Sequence, residues 1–104
     1  MAEVIWTEKA SAQLKLIFDY IAEDSAIYAE NFIKALVLST RKLEEFPQCG
    51  RIVPEFIGTS LALREVIYRG YRIIYQLEGA NVMIVSVMNG RQDLEGKADS
   101  GFIL

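Results

Sequence analysis

Apolar side chains at Ala10, Leu14, Ile17, Phe18 and Ile21 recur at spacings of four, three, one and three. That is the pattern of one helical face, and it predicts a helix from about Glu8 to Ala22. Thr7 stands before it as a good N-cap, and Glu8 puts an acid in the first turn, where the helix dipole favours one. A short β-type run, Val4-Ile5-Trp6, leads into the cap. The cluster Glu23-Asp24-Ser25 breaks the period, and Asp24 or Ser25 can cap a second helix carrying Ala29, Phe32, Ile33, Leu36, Val37, Thr40, Leu43 and Phe46. Pro47 stops it. Two antiparallel helices joined by a short loop follow.

Beyond Pro47 the helical period disappears, and Gly50, Pro54 and Gly58 punctuate the chain. Three β-branched and aromatic runs come next: Leu63 to Tyr68, Tyr71 to Leu77, and Val82 to Met88. Arg69-Gly70 and Glu78-Gly79-Ala80-Asn81 separate them, which predicts two successive hairpins. With Arg69 and Gly70 as the first loop, Tyr68 pairs with Tyr71, Val66 with Ile73 and Arg64 with Tyr75. The opposite face then carries Glu65, Ile67, Arg72, Ile74 and Gln76. The third run is apolar on both faces, as expected of a central strand covered on both sides. The order β-α-α-β-β-β predicts an α+β fold with two antiparallel helices packed on one antiparallel sheet.

Length and composition narrow the chemistry. At 104 residues the chain has the usual size of a single domain, expected over 1–104, with 92–104 as a tail that is partly disordered or docked through Phe102-Ile103-Leu104. There is no histidine and only one cysteine, Cys49. An intrachain disulfide is therefore excluded, ligands for a structural zinc site are too few, and Ser-His-Asp and Cys-His catalysis are out. No metal site and no cofactor is expected. The start carries an acid and no basic leader, and the longest uncharged stretch, Gly79 to Gly90, is too short to span a bilayer. A soluble, cytoplasmic protein that does not bind membranes is the expectation.

Net charge is −3, yet its distribution is uneven. Between Arg41 and Arg72 six basic residues (Arg41, Lys42, Arg51, Arg64, Arg69, Arg72) face four acids, while the remainder has five basic residues and ten acids. An arginine-bearing loop and hairpin is the only locally positive region. Such arginines bind carboxylates or phosphates bidentately, or only solubilise a sheet face. Tyr68, Tyr71 and Tyr75 interleave with them, either as stacking platforms or as core and cross-strand pairs. A pI near 4.9 argues against general nucleic-acid binding.

Trp6-Thr7-Glu8-Lys9-Ala10, then Phe46-Pro47-Gln48-Cys49-Gly50-Arg51 with Val53-Pro54-Glu55, then Arg64-Glu65-Val66, Tyr71-Arg72-Ile73-Ile74-Tyr75 and Asn89-Gly90-Arg91 together resemble the ParE/RelE superfamily of bacterial toxin-antitoxin toxins. The likeness spans almost the whole chain and is greatest to the ParE branch. It implies the same β-α-α-β-β-β fold and a growth-inhibiting toxin neutralised by a cognate antitoxin of ParD/RelB type that is degraded under stress. ParE-type toxins poison DNA gyrase without an established hydrolytic site. RelE-type toxins cut messenger RNA in the ribosomal A site, the alternative here, and an inactive antitoxin-binding module is a third reading.

Residue by residue, the resemblance places the nuclease arginine at Arg72 and a basic neighbour near Arg64. The nuclease pattern expects a second arginine where Gln92 stands and a later tyrosine that is absent, since Tyr75 is the last tyrosine. Those losses remove transition-state charge stabilisation and an acid-base group. ParE members often carry a histidine and a second arginine where Asn89 and Gln92 stand. No catalytic residue is assigned for the ParE reading. Arg51, Arg64, Arg72 and Arg91 are the candidates for target or antitoxin contact, with gyrase the expected target and the ribosome the alternative. Arg51 has a competing structural use, holding the loop.

Overall fold

Thr7 starts the first helix through two bonds of its hydroxyl. The oxygen accepts from Ala10 N at 3.2 Å, the N-cap bond, and the proton goes to the Ile84 carbonyl at 2.9 Å. In the computed structural model, which describes residues 1–59 and 62–90, strand β1 (Val4–Trp6) ends there and α1 runs Glu8–Ala22. Ser25 caps α2 (Ala26–Ser39), accepting from Tyr28 N. β2 (Arg51–Ile52), β3 (Leu63–Tyr68), β4 (Tyr71–Glu78) and β5 (Asn81–Asn89) complete a five-stranded sheet of order β1-β5-β4-β3-β2.

The second helix is shorter than its apolar spacing predicts. It ends at Ser39, and Arg41–Glu44 form a separate 3-10 turn before Pro47. Ser39 and Thr40 hydroxyls donate back to the Leu36 and Val37 carbonyls, and Thr40 N reaches Val37 O, so the ladder tightens there. The turn buries Leu43 completely and offers the Glu44 carbonyl to Ala2 N, tying the chain start down.

The sheet is mixed where an antiparallel one was expected. β2, β3, β4 and β5 pair antiparallel, but β1 lies parallel to β5, with Val4 opposite Val82 and Trp6 opposite Ile84. β1 enters α1 at once, and Thr7, donating through both N–H and hydroxyl to Ile84 O, fixes the direction in which it lies. No hairpin links the two strands, so nothing in the local sequence sets their sense. β2 was not anticipated, being only two residues long.

The hairpin register agrees with the reading of the sequence: Tyr68 opposes Tyr71, Val66 opposes Ile73 and Arg64 opposes Tyr75. Arg69 (φ 46°) and Gly70 (φ 85°) turn it in two residues, both with the positive φ of a type I′ loop. A bulge at Ile74/Tyr75 leaves Val85 extra on β5. Consequently Ile84 and Val87 both point to the helical side, while Val85 and Met88 point away. Ala10, Leu36, Leu43, Val66, Ile73 and Tyr75 build the core under the helices. On the other side Val53 and Phe56 fold over Leu63, Ile74, Val85 and Met88. β5 is thus covered on both sides, as its unbroken apolar run implied. Among the described residues no helix is long and apolar enough to cross a membrane.

Candidate functional site

Two anchors hold the loop that follows the helices. The Tyr75 hydroxyl accepts from Gly50 N at 2.9 Å and donates to the Pro47 carbonyl at 2.8 Å. Arg64 Nη1 donates to the Gln48 and Gly50 carbonyls at 3.1 and 2.8 Å. Tyr75 is fully buried, which answers the core-or-platform question for this tyrosine. Phe32 on α2 packs edge-on to Tyr71 and tilted on Tyr68, so those two rings are partly used in packing as well.

Burial pushes the Tyr75 phenol up from its ordinary value of 10.0. The folded form therefore holds the phenolic proton more tightly than the unfolded chain. That stability is complete below about pH 10 and is lost as pH rises through the folded value, because the unfolded state ionises first. Chemical denaturation across pH 8–11 is expected to show the decline, and Tyr75→Phe to flatten it. An equal alkaline decline in both proteins would assign it elsewhere.

Beyond this loop, on the sheet face away from the helices, lies a four-charge network. Glu65 is fully buried, and each of its oxygens takes one arginine: Oε2 accepts from Arg51 Nε and Oε1 from Arg72 Nε, both at 2.6 Å. The other edge of the Arg72 guanidinium donates from Nη1 and Nη2 to the two oxygens of Glu55, at 2.7 and 2.8 Å. This is the bidentate arginine-carboxylate geometry. Glu65 and Arg72 meet because Glu65 opposes Ile74, placing the arginine on the diagonal of the β3–β4 ladder. Glu55 arrives from the 3-10 turn Pro54–Phe56, whose Phe56 is buried in the back-face core. Hydrogen bonding to Glu55 first, and then to Glu65, raises the Arg72 pKa, so the guanidinium is charged at any pH the fold survives.

The network borders a concavity of about 680 Å³, lined also by Pro54, Ile67, Arg69, Tyr71 and Asn89. Arg51 has an exposed side chain at its rim, and the Arg69 guanidinium lies 5.8 Å from the Tyr68 ring centre. A second groove of about 530 Å³ runs between α1 and the edge of β5 that β1 leaves uncovered. Gln13 Oε1 satisfies that edge, accepting from Val87 N at 2.8 Å and Ser86 Oγ at 3.1 Å.

The four arginines singled out in the sequence thus have different places. Arg51 and Arg72 share Glu65, and Arg64 faces the loop carbonyls. Arg91 and Gln92, like the tail 92–104, lie outside the described residues. Glu55 and Glu65 were counted among the acids without being paired. The register held a signal for Glu65, since it puts Glu65 and Arg72 on one face of the hairpin, on a diagonal between neighbouring strands. For Glu55 there was none, because a two-residue strand and a 3-10 turn decide where it lies.

Two helices laid on one face of a five-stranded mixed sheet, with an arginine-carboxylate network on the other, define an α+β protein of the toxin type that the residues resemble. The family model of the ParE toxin of the type II toxin-antitoxin system, parDE, matches residues 4–94. Toxin RelE2 of Caulobacter vibrioides is 34% identical over 88 residues, covering 84% of this chain and 93% of that toxin. A chain of the chromosomal ParDE toxin-antitoxin system from P. aeruginosa superimposes with a TM-score of 0.69 at 20% identity, over 86% of this chain and 96% of its own, a likeness of fold. The chain belongs to the ParE toxin family.

Proposed function

We propose that this toxin stops growth by binding a protein target, DNA gyrase, rather than by cutting RNA, and that a cognate antitoxin of ParD/RelB type neutralises it. The state of Arg72 carries this reading. A nuclease needs that guanidinium facing a scissile phosphate, whereas here each of its three nitrogens donates to Glu55 or Glu65 and its side chain is 6% exposed. Net charge points the same way, since a chain at −3 gains little attraction to a phosphate-rich site. Of the contact candidates among the described residues, Arg51 is the one whose exposed side chain faces the open concavity. The antitoxin reading is supported by the ParDE system to which the fold is similar.

Inducible expression with separate readouts tests the proposal. Growth should stop, purified toxin with gyrase should accumulate cleaved DNA, and translated transcripts should stay intact. A-site cleavage that vanishes in a folded Arg72→Lys variant would replace it with the ribonuclease reading. Harmless expression with a small protein tightly co-purifying would leave an antitoxin-binding module.

A further inference from the structure

Arg51 is fixed at one end of its guanidinium and open at the other. It stands directly opposite Glu65 across the β2–β3 pair, so the two side chains share the sheet face away from the helices. Its Nε donates to Glu65 Oε2, and that carboxylate is itself held: its side chain has no solvent exposure, and Arg72 Nε occupies its other oxygen. Yet the Arg51 side chain is 58% exposed, and among the described residues neither its Nη1 nor its Nη2 has a hydrogen-bond partner. Capturing an ordinary surface arginine costs the rotamer freedom of a long side chain. Here Glu65 has already removed much of that freedom, leaving the Nη1/Nη2 edge at the rim of the concavity with nothing of its own to bind.

We propose that this edge of Arg51 receives a carboxylate, an Asp or Glu side chain on the surface of the toxin's protein target. The site rests on the target being a protein, as the proposed function has it, and Arg72 takes no part, staying paired with Glu55 and Glu65. The two oxygens of a carboxylate match the two Nη donors as a fork, which a lysine at the same position could not offer. The surroundings select a carboxylate over a phosphoryl group. Glu55 lines the same concavity with its side chain 18% exposed, so a doubly charged phosphoryl group is repelled more than a singly charged carboxylate. Pro54, Ile67 and Tyr71 line it as well, and Ile67 is 54% exposed. That apolar surface suits the methylenes and neighbours of a protein side chain better than it suits a sugar-phosphate strand.

Acetate, a bare carboxylate, tests the site on the intact toxin. The Arg51 Nη signals should shift saturably by NMR, while those of Arg72, held by Glu55, stay in place. Inorganic phosphate at matched ionic strength should shift them less. Arg51→Lys keeps the charge and loses the fork. With a thermal midpoint within a few degrees of the parent, it should need about tenfold more toxin to arrest growth, the loss of one charge-assisted hydrogen bond. No saturable shift with acetate, a larger shift with phosphate, or a folded Arg51→Lys toxin as potent as the parent overturns the proposal. So does a folded variant that arrests growth fully but is neutralised less well by the antitoxin, because the carboxylate would then belong to the antitoxin. Should Arg51→Lys fail to fold, the two titrations of the unaltered protein decide. Neither the titration nor the growth assay uses purified gyrase, so gyrase left unaffected by the parent toxin refutes the choice of target while these results still decide the site.

Discussion

Arg72→Ala is expected to destabilise the fold by about 3–5 kcal/mol, the cost of removing one partner from a buried ion pair. Three carboxylate oxygens lose the hydrogen bond that Arg72 donates: Oε1 of Glu65 and both oxygens of Glu55. Glu65 keeps Arg51 on its second oxygen, but its side chain has no solvent exposure through which water could replace Arg72. For a chain of this size each kcal/mol moves the thermal midpoint by roughly 4–8 °C, so a fall of tens of degrees follows. Urea denaturation should show the midpoint moving with little change in slope. Replacing both charges together, as Arg72→Met with Glu65→Gln, should cost less than the sum of the single changes, because neither charge is then left alone. A midpoint within a few degrees of the parent for Arg72→Ala would mean that the network is incidental. The consequence for function is direct: lost toxicity in Arg72→Ala reports on folding before it reports on chemistry, and a catalytic role could be argued only from a variant shown to be folded.

Local periodicity carried most of the secondary structure. Thr7 and the apolar spacing of residues 10 to 21 set both ends of α1, and Arg69-Gly70 set the hairpin register to the residue. What escaped were features decided by distant partners. Thr40 sits in phase with the second helix, yet the helix ends before it because Leu43 and Glu44 are needed beneath β1. The parallel sense of β1 depends on Ile84, 77 residues beyond Thr7. For the site, the sequence pointed to the right arginines and left their roles open. Arg51, Arg64 and Arg72 all carry structural bonds, and Glu55, which holds Arg72 from its far edge, becomes visible only once a 3-10 turn is folded over the sheet. Charge counting over Arg41 to Arg72 found a positive region, but it could not show that two of the acids in it are bonded to two of the arginines.

Gly50→Ala is expected to be about as damaging as the loss of Arg72, and for a steric reason. A Cβ there would lie 2.6 Å from the Tyr75 hydroxyl oxygen, 2.7 Å from Tyr75 Cε1 and 2.7 Å from the Glu65 carbonyl oxygen. Neither neighbour has room to yield. Glu65 lies in β3, opposite Arg51 and Ile74, and Tyr75 is fully enclosed with its hydroxyl bonded to both Gly50 N and Pro47 O. Overpacking alone costs about 1–3 kcal/mol. Pushing the loop away also breaks the two hydroxyl bonds, and an unsatisfied buried donor adds roughly 1–3 kcal/mol. Tyr75→Phe separates these contributions. It removes the hydroxyl, leaving Gly50 N and Pro47 O unpaired, and should cost about 1–3 kcal/mol by itself. In that background Gly50→Ala meets no oxygen on the ring, only Cε1 and the Glu65 carbonyl. The double variant should therefore be less destabilised than the sum of the two, by about 0.5–3 kcal/mol in a denaturation cycle. Strict additivity would refute the idea that the tyrosine hydroxyl and the missing side chain form one fitted contact. Because Arg51 follows Gly50 directly and donates to Glu65, displacement of the loop should also shift the Arg51 Nε signal, tying this buried clamp to the rim of the concavity it supports.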